Sequence, residues 1–166
     1  MKLAIAALAF AAALFSAAPS FAQSARPFDL AQLSPEVRAA VETARDAQRR
    51  AMMAAARANG GGAGLIRFEG TAGDDYAGEC SPCGGAATQR SGYGVLSWDD
   101  GEFYAGSHGP GGDGGAKHGY GVYVFANEGI YEGQFNADDF EGYGVFWNVD
   151  GTVRYQGRLV DGQPAN

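Results

Sequence analysis

Three hydrophobic regimes follow one another along the chain. Leu3 to Ala18 is almost wholly apolar, behind a single Lys2 and ahead of Ser20-Phe21-Ala22. A basic start, an apolar run and a small-x-small triplet predict a secretory signal peptide over 1–22, cleaved after Ala22. The alternative, a membrane anchor, would need an apolar run nearer the ~20 residues that span a bilayer. Residues 23–33, with Pro27, read as an extended leader. From 34 to 59 the period becomes helical. Val37, Val41, Ala44, Gln48, Ala51 and Ala55 fall on one line, with Ala40, Ala47, Ala54 and Ala58 beside it. Ser34-Pro35-Glu36 supplies an N-cap hydroxyl, a proline whose missing N–H costs nothing there, and an acid at the positive end of the helix dipole. Asn59 and the glycines at 60–62 stop the helix. Beyond residue 60 no helical period survives. Runs of about six β-branched and aromatic residues alternate with Asp99-Asp100-Gly101, Asn127-Glu128-Gly129 and Asp150-Gly151, which predicts strand, tight turn, strand.

These runs repeat. The word Gly-Tyr-Gly-Val occurs at Gly92–Val95, Gly119–Val122 and Gly142–Val145, and is followed by Tyr104-Ala105-Gly106, Tyr131-Glu132-Gly133 and Tyr155-Gln156-Gly157. A degenerate fourth copy reads Gly62-Ala63-Gly64-Leu65 and then Tyr76-Ala77-Gly78. Successive GxG starts lie 30, 27 and 23 residues apart, a period typical of small stacked units. The surplus falls between each YxG and the next GxG, so CSPCGGAATQRS and HGPGGDGGAK read as inserted loops. Aligned on the second glycine, the copies give the columns Leu65, Val95, Val122, Val145, then Ile66, Leu96, Tyr123, Phe146, and two places on Phe68, Trp98, Phe125, Asn148. The last copy has one extra residue before Tyr155, which predicts a bulge near Trp147.

This pattern resembles the MORN repeat, a β-hairpin unit with the signature Y-x-G followed by G-x-G. The resemblance covers residues 62–162 and is closest from Tyr131-Glu132-Gly133 to Gly142-Tyr143-Gly144. It implies a mainly β fold, an open antiparallel meander of hairpins each touching only its neighbours. The organisation is then an N-terminal α-helix over 34–59, four repeats over 60–162, two of them with loop insertions, and a tail over 163–166. The residue columns agree independently. Glycines at alternate strand positions (Gly78, Gly92, Gly94, Gly106, Gly119, Gly121, Gly133, Gly142, Gly144, Gly157) leave an empty groove, and Tyr76, Tyr104, Tyr131 and Tyr155 are the aromatics to lie across it. MORN-like proteins are associated with protein scaffolding and, in some members, with phospholipid surfaces. The reading is therefore a non-catalytic interaction or scaffolding module of the bacterial cell envelope, periplasmic or secreted, with no cofactor and an unidentified protein partner.

Charge narrows the partner. Residues 23–59 hold six arginines against four acids, whereas 60–166 hold five basic residues against fifteen acids. A strand region so acidic repels phosphates, which excludes nucleic acid as a partner. An anionic membrane could meet only Arg38, Arg45, Arg49, Arg50 and Arg57 of the helix. The helix's thin alanine stripe could pack on the repeats, pair with a second copy as a homodimer, or stay loosely attached. Cys80-Ser81-Pro82-Cys83 in an exported chain is most simply a disulfide. A thioredoxin-like site would want its first cysteine at a helix N-terminus. Zinc would need Cys80 and Cys83 as thiolates with His108 and His118, which the repeat phase places at the same end of the hairpins. The acid pairs Asp74-Asp75, Asp99-Asp100 and Asp138-Asp139 recur at turn positions and read as solvated turn residues. No serine or histidine stands at a hydrolase spacing, and only four residues follow the repeats, so no catalytic domain is expected.

Overall fold

The computed structural model describes residues 28–69, 73–84, 88–110 and 114–165. The expected signal peptide and most of the leader lie outside them. A 3-10 turn at Leu30–Gln32 leads into helix α1, Pro35–Ala58. The strands are β1 (Leu65–Glu69), β2 (Asp74–Cys80), β3 (Arg90–Trp98), β4 (Phe103–Gly109), β5 (Ala116–Phe125), β6 (Gly129–Asn136), β7 (Asp139–Trp147), β8 (Val153–Val160) and β9 (Gln163–Pro164). All join one antiparallel sheet in strict chain order, so the fold is an open meander of four hairpins. The chain end expected as a tail supplies β9, pairing Leu159 with Pro164 and Val160 with Gln163.

Glycine organises the sheet. Gly78, Gly94, Gly106, Gly121, Gly133, Gly144 and Gly157 pair one with the next across β2 to β8, forming a transverse row without side chains. The YxG tyrosines fill it. A Cβ added at Gly94 would stand 2.6 Å from the Tyr76 ring, and one at Gly144 equally close to Tyr131. Each tyrosine then donates its hydroxyl to the carbonyl three residues on: Tyr76 to Glu79 (2.6 Å), Tyr104 to Ser107 (2.7 Å), Tyr131 to Gln134 (3.0 Å) and Tyr155 to Arg158 (2.8 Å). Tyr76, Tyr104 and Tyr131 are fully buried.

The first glycine of each GxG has a different task. Between the paired glycines and the next pair outward, β3, β5 and β7 each contain more residues than their partner strand, so they bulge. Gly92, Gly119 and Gly142 sit in those bulges at φ +69°, +79° and +64°, a region that side chains strain. The residue after the YxG glycine closes the bulge in two copies: Glu79 accepts the N–H of Tyr93 and Gln134 that of Tyr143, both at 2.8 Å.

Two sequence expectations change and a third holds. In the first hairpin Gly78 pairs with Ile66, and Tyr76 with Phe68. Gly62-Ala63-Gly64 therefore stands two residues out of phase with the other GxG words, and Phe68, not Ile66, belongs with Leu96, Tyr123 and Phe146. The turn sets this register: Phe68 to Tyr76 spans the same number of residues as Leu96 to Tyr104. Second, the insertions are shorter as loops than as sequence, because Cys80, His108 and His118 lie inside strands. Third, the bulge in the last copy falls between Phe146 and Trp147, where the extra residue predicts it.

Helix α1 crosses the opposite face of the sheet. Ser34 caps it by accepting from the Val37 N–H. Of its nine buried residues seven are alanine, which lets it lie close. Ala51, Ala55 and Ala58 pack on Ala77, Val95 and Ala105; Ala44 packs on Val122 and Val124; Val37 and Val41 pack on Val145 and Trp147. The middle residue of each YxG reads the helix above it. Ala77 and Ala105 make room for it, Gln156 accepts from the Ser34 N–H (2.9 Å) and donates to the Gln32 carbonyl (3.0 Å), and Glu132 receives Arg45. Of the three uses open to the alanine stripe, the structure realises packing on the repeats.

Replacing Tyr131 separates the two parts of its role. Tyr131→Phe loses one hydroxyl bond and should lower the unfolding free energy by ~1 kcal/mol. Tyr131→Ala empties the groove over Gly133 and Gly144 and should cost ~3–5 kcal/mol. Urea unfolding measures both, and an alanine variant as stable as the parent would refute the filling role.

Candidate functional site

The sheet offers two faces, and the helix takes one. On the other, around buried Tyr104, Tyr131, Phe135 and Leu159, stand the half-buried rings of Trp98, Tyr123, Phe125, Phe140, Phe146 and Tyr155. Among the described residues no element covers them. Alternation aims these side chains here, because every second residue from a row glycine shares its face. The rings form a continuous stripe across β3 to β7. Trp98 to Tyr123 is 5.6 Å between centroids, Tyr123 to Phe125 4.6 Å, Phe125 to Phe146 6.3 Å and Phe140 to Phe146 5.1 Å. A contiguous, partly exposed apolar stripe is a candidate contact surface.

Polar groups border the stripe at two places. The Tyr123 hydroxyl donates to the Glu102 carboxylate, and burial followed by that carboxylate pushes the phenol pKa up. Lys117 lays its ammonium 5.9 Å from the centroids of both Trp98 and Tyr123, while Asp138 holds it at 2.7 Å. The same lysine keeps the Asp138 carboxyl below its usual range, overriding the opposing effect of burial.

A column invisible in the YxG word lies four residues beyond each tyrosine: Cys80, His108, Phe135 and Leu159. All four are buried, and His108 and Phe135 fill the space between successive tyrosines. Phe135 packs against Tyr104 and Tyr131, and His108 occupies the corresponding place, edge-on to Tyr76 and Tyr104 at 5.2 Å from each. His108 is 5% exposed, and neither ring nitrogen has a hydrogen-bond partner among the described residues. Burial, then the charges of Arg90 and Lys117, lower its pKa to about 3 despite the opposing pull of Asp138 and of the nearby Gly106 backbone, which lies outside good hydrogen-bond geometry. At neutral pH the imidazole is uncharged. Counting four positions on from each tyrosine would have found this column in the sequence.

Cys80 and Cys83 are joined in a disulfide. That bond takes up the thiolates zinc would need, and His118 points to solvent while His108 is enclosed by tyrosines. Among the described residues no group of His, Cys, Asp and Glu gathers in a metal-holding arrangement. Cys80 is buried in β2 and Cys83 exposed, with no helix starting at either, which also removes the setting of a thioredoxin-like nucleophile. Sequence reasoning also missed Glu132. This carboxylate is 6% exposed and accepts from Arg45 Nε (2.8 Å), Arg45 Nη2 (2.9 Å) and Trp147 Nε1 (2.8 Å). A glutamate in a column otherwise filled by Ala77, Ala105 and Gln156 was its signal. The helix arginines divide accordingly: Arg45 is spent on Glu132 and Arg38 bonds the Leu30 and Leu33 carbonyls, whereas Arg49, Arg50 and Arg57 stand at the surface beside Met53 and Tyr93.

Comparison with known families finds the MORN repeat at residues 88–103, 113–130 and 131–153. The chain therefore carries three recognisable MORN repeats, on hairpins whose GxG is in phase; β1 and β2, where Ile66 replaces the row glycine, lie outside the matched segments. No curated protein matches the chain.

His108 makes an acid-sensitive prediction. Its folded pKa lies below the ordinary 6.5, so the unfolded chain takes up a proton first as pH falls. Stability is then lost from about pH 6.5 downward, at up to ~1.4 kcal/mol per pH unit. His108→Phe, which copies Phe135, should gain ~1–3 kcal/mol at pH 7 by removing two unpaired nitrogens. Its advantage should widen by ~3 kcal/mol between pH 7 and pH 4. Parallel urea titrations at the two pH values check this; an equal loss in both proteins would refute it.

Proposed function

We infer that this chain is a non-catalytic protein-interaction module, a scaffold of the bacterial cell envelope, with the aromatic stripe as its contact surface. The observation that carries the reading is the asymmetry of the sheet. The helix completes one face, and the other keeps a row of half-buried rings with no cover among the described residues. The MORN repeat is in general a non-catalytic unit associated with protein and membrane interaction, which supports the choice of class. The signal peptide expected over residues 1–22 supports a periplasmic or secreted location. A photoreactive benzoylphenylalanine at Phe125 tests the surface directly, with the outward helix residue Glu42 as control. Adducts to a partner protein are expected in cells at 125 and not at 42; adducts at 42 alone would overturn the assignment of the surface.

A second reading, attachment to an anionic membrane, draws on one observation: the side chains of Arg49, Arg50 and Arg57 are 66%, 55% and 66% exposed. Against it, the apolar face of α1 is buried on the sheet, and Asp46 binds both Arg49 (3.0 Å) and Arg50 (2.6 Å). The purified protein should not sediment with phosphatidylserine-containing vesicles. Sedimentation that the triple Arg49→Glu, Arg50→Glu, Arg57→Glu variant abolishes would establish the membrane reading instead.

A further inference from the structure

The chemistry of the stripe is not uniform, and its β3–β5 end is the unusual part. Trp98, Tyr123 and Phe125 stand there with faces partly open, and Glu102 closes the rim through the Tyr123 hydroxyl. No cation lies within ion-pair distance of Glu102 among the described residues, whereas two carboxylates further along this face are matched: Asp138 holds Lys117 at 2.7 Å, and Asp74 faces Arg90 at 3.9 Å. Two rings already hold a positive charge, since the Lys117 ammonium lies over both Trp98 and Tyr123. An aromatic face attracts a cation through its quadrupole, and indole does so best. Lys117 is already paired with Asp138, so Glu102 is left to take its countercharge from outside.

We propose that the Trp98–Tyr123–Phe125 end of the stripe, with Glu102, takes a lysine or arginine side chain from an extended segment of the partner protein. The proposal rests on the stripe being the contact surface and names the chemistry that surface selects. Charge complementarity favours this occupant. Asp99 and Asp100 precede Glu102 in the same exposed turn, and residues 60–166 carry fifteen acids against five basic residues, a field that draws cationic chains and repels anionic ones. The stripe crosses β3 to β7, so a partner lying along it contacts Phe125 and Phe146 beyond the charged end, which suits an extended chain better than a single ion.

The two tryptophans make the test site-specific, because Trp147 is buried beneath the helix and Trp98 lies at the subsite. Three capped peptides, alternating Thr-Lys, Thr-Gln and Thr-Glu, are titrated into the purified protein while both indole N–H resonances are followed. The lysine peptide should shift the Trp98 resonance saturably and leave Trp147 in place, with affinity falling about tenfold or more when salt is raised from about 50 to 500 mM. Glu102→Gln keeps an oxygen to accept from the Tyr123 hydroxyl, so it should keep the parental urea midpoint and bind the lysine peptide at least several-fold more weakly. Equal shifts from the glutamate peptide, no saturation with the lysine peptide, or unchanged affinity in Glu102→Gln would each overturn the proposal. Crosslinks through position 125 alongside a failed lysine titration would remove the cation subsite and leave the contact surface standing; lysine binding without crosslinks would do the opposite.

Discussion

Everything in this sheet depends on a tyrosine ring lying flat over glycine. Seven glycines paired across seven strands form a strip on which no side chain rises, and such a strip is unstable alone, since it buries nothing and glycine is costly to order. Tyr76, Tyr104 and Tyr131 repair it by each covering its own row glycine and that of the next strand, and Tyr155 covers Gly157 at the end of the row. The hydroxyl then turns back to a carbonyl three residues ahead, so a fully buried phenol leaves no polar atom unpaired. Because that ring spans two hairpins, the contact that completes one repeat also joins it to the next. The meander accordingly propagates by a nearest-neighbour rule, as solenoids do.

A nearest-neighbour sheet has no long-range tie, and α1 supplies one. It runs from β2 to β8, and the residue it meets at each hairpin is the one the repeat leaves free, the middle of YxG. Where the helix lies close that residue is alanine; elsewhere it is Gln156 or Glu132, each bonded to a named group of the N-terminal segment or helix. The buried Arg45–Glu132 pair, with Trp147 as third donor, adds little net stability by itself, since desolvating two charges offsets much of their attraction. Its strength is in alignment: seven buried alanines slide readily over an apolar sheet, and a bidentate pair permits one position.

The strands, turns, repeat phase and both helix ends were legible in the chain, because each follows from local chemistry: alternation, glycine in turns, a serine-proline start. The misreadings came from long-range register. Gly62-Ala63-Gly64 looked like a repeat word, but the turn after Phe68 sets which residues oppose, and it puts Ile66 in the glycine row. The same limit hid the two tasks of GxG, since only pairing reveals that Gly119 lies in a bulge and Gly121 under a tyrosine. The aromatic stripe was half legible. The columns made Trp98, Tyr123, Phe125 and Phe146 visible as strand aromatics, but which face the helix covers is decided by packing across the whole sheet, which also puts Trp147 beneath the helix.

Several departures from the repeat gather in and around the second hairpin, on β2 to β5, and this concentration is informative. Cys80 and His108 occupy slots that Phe135 and Leu159 fill with hydrocarbon, and Lys117 and Arg90 pass close enough to His108 to depress its pKa. Each is a costlier choice than an apolar one: a thiol tied into a loop, an imidazole with both nitrogens unpaired, an ammonium laid across aromatic rings. A repeat optimised for stability alone would have kept phenylalanine there, as it does one hairpin later. The polar chemistry of the face thus begins where the repeat is least regular, and the apolar stripe from Phe125 to Phe146 continues it over the most regular hairpins. One surface therefore combines a charged, chain-specific end with a generic aromatic track, and the proposed contact with a partner would draw its selectivity from the first and its area from the second.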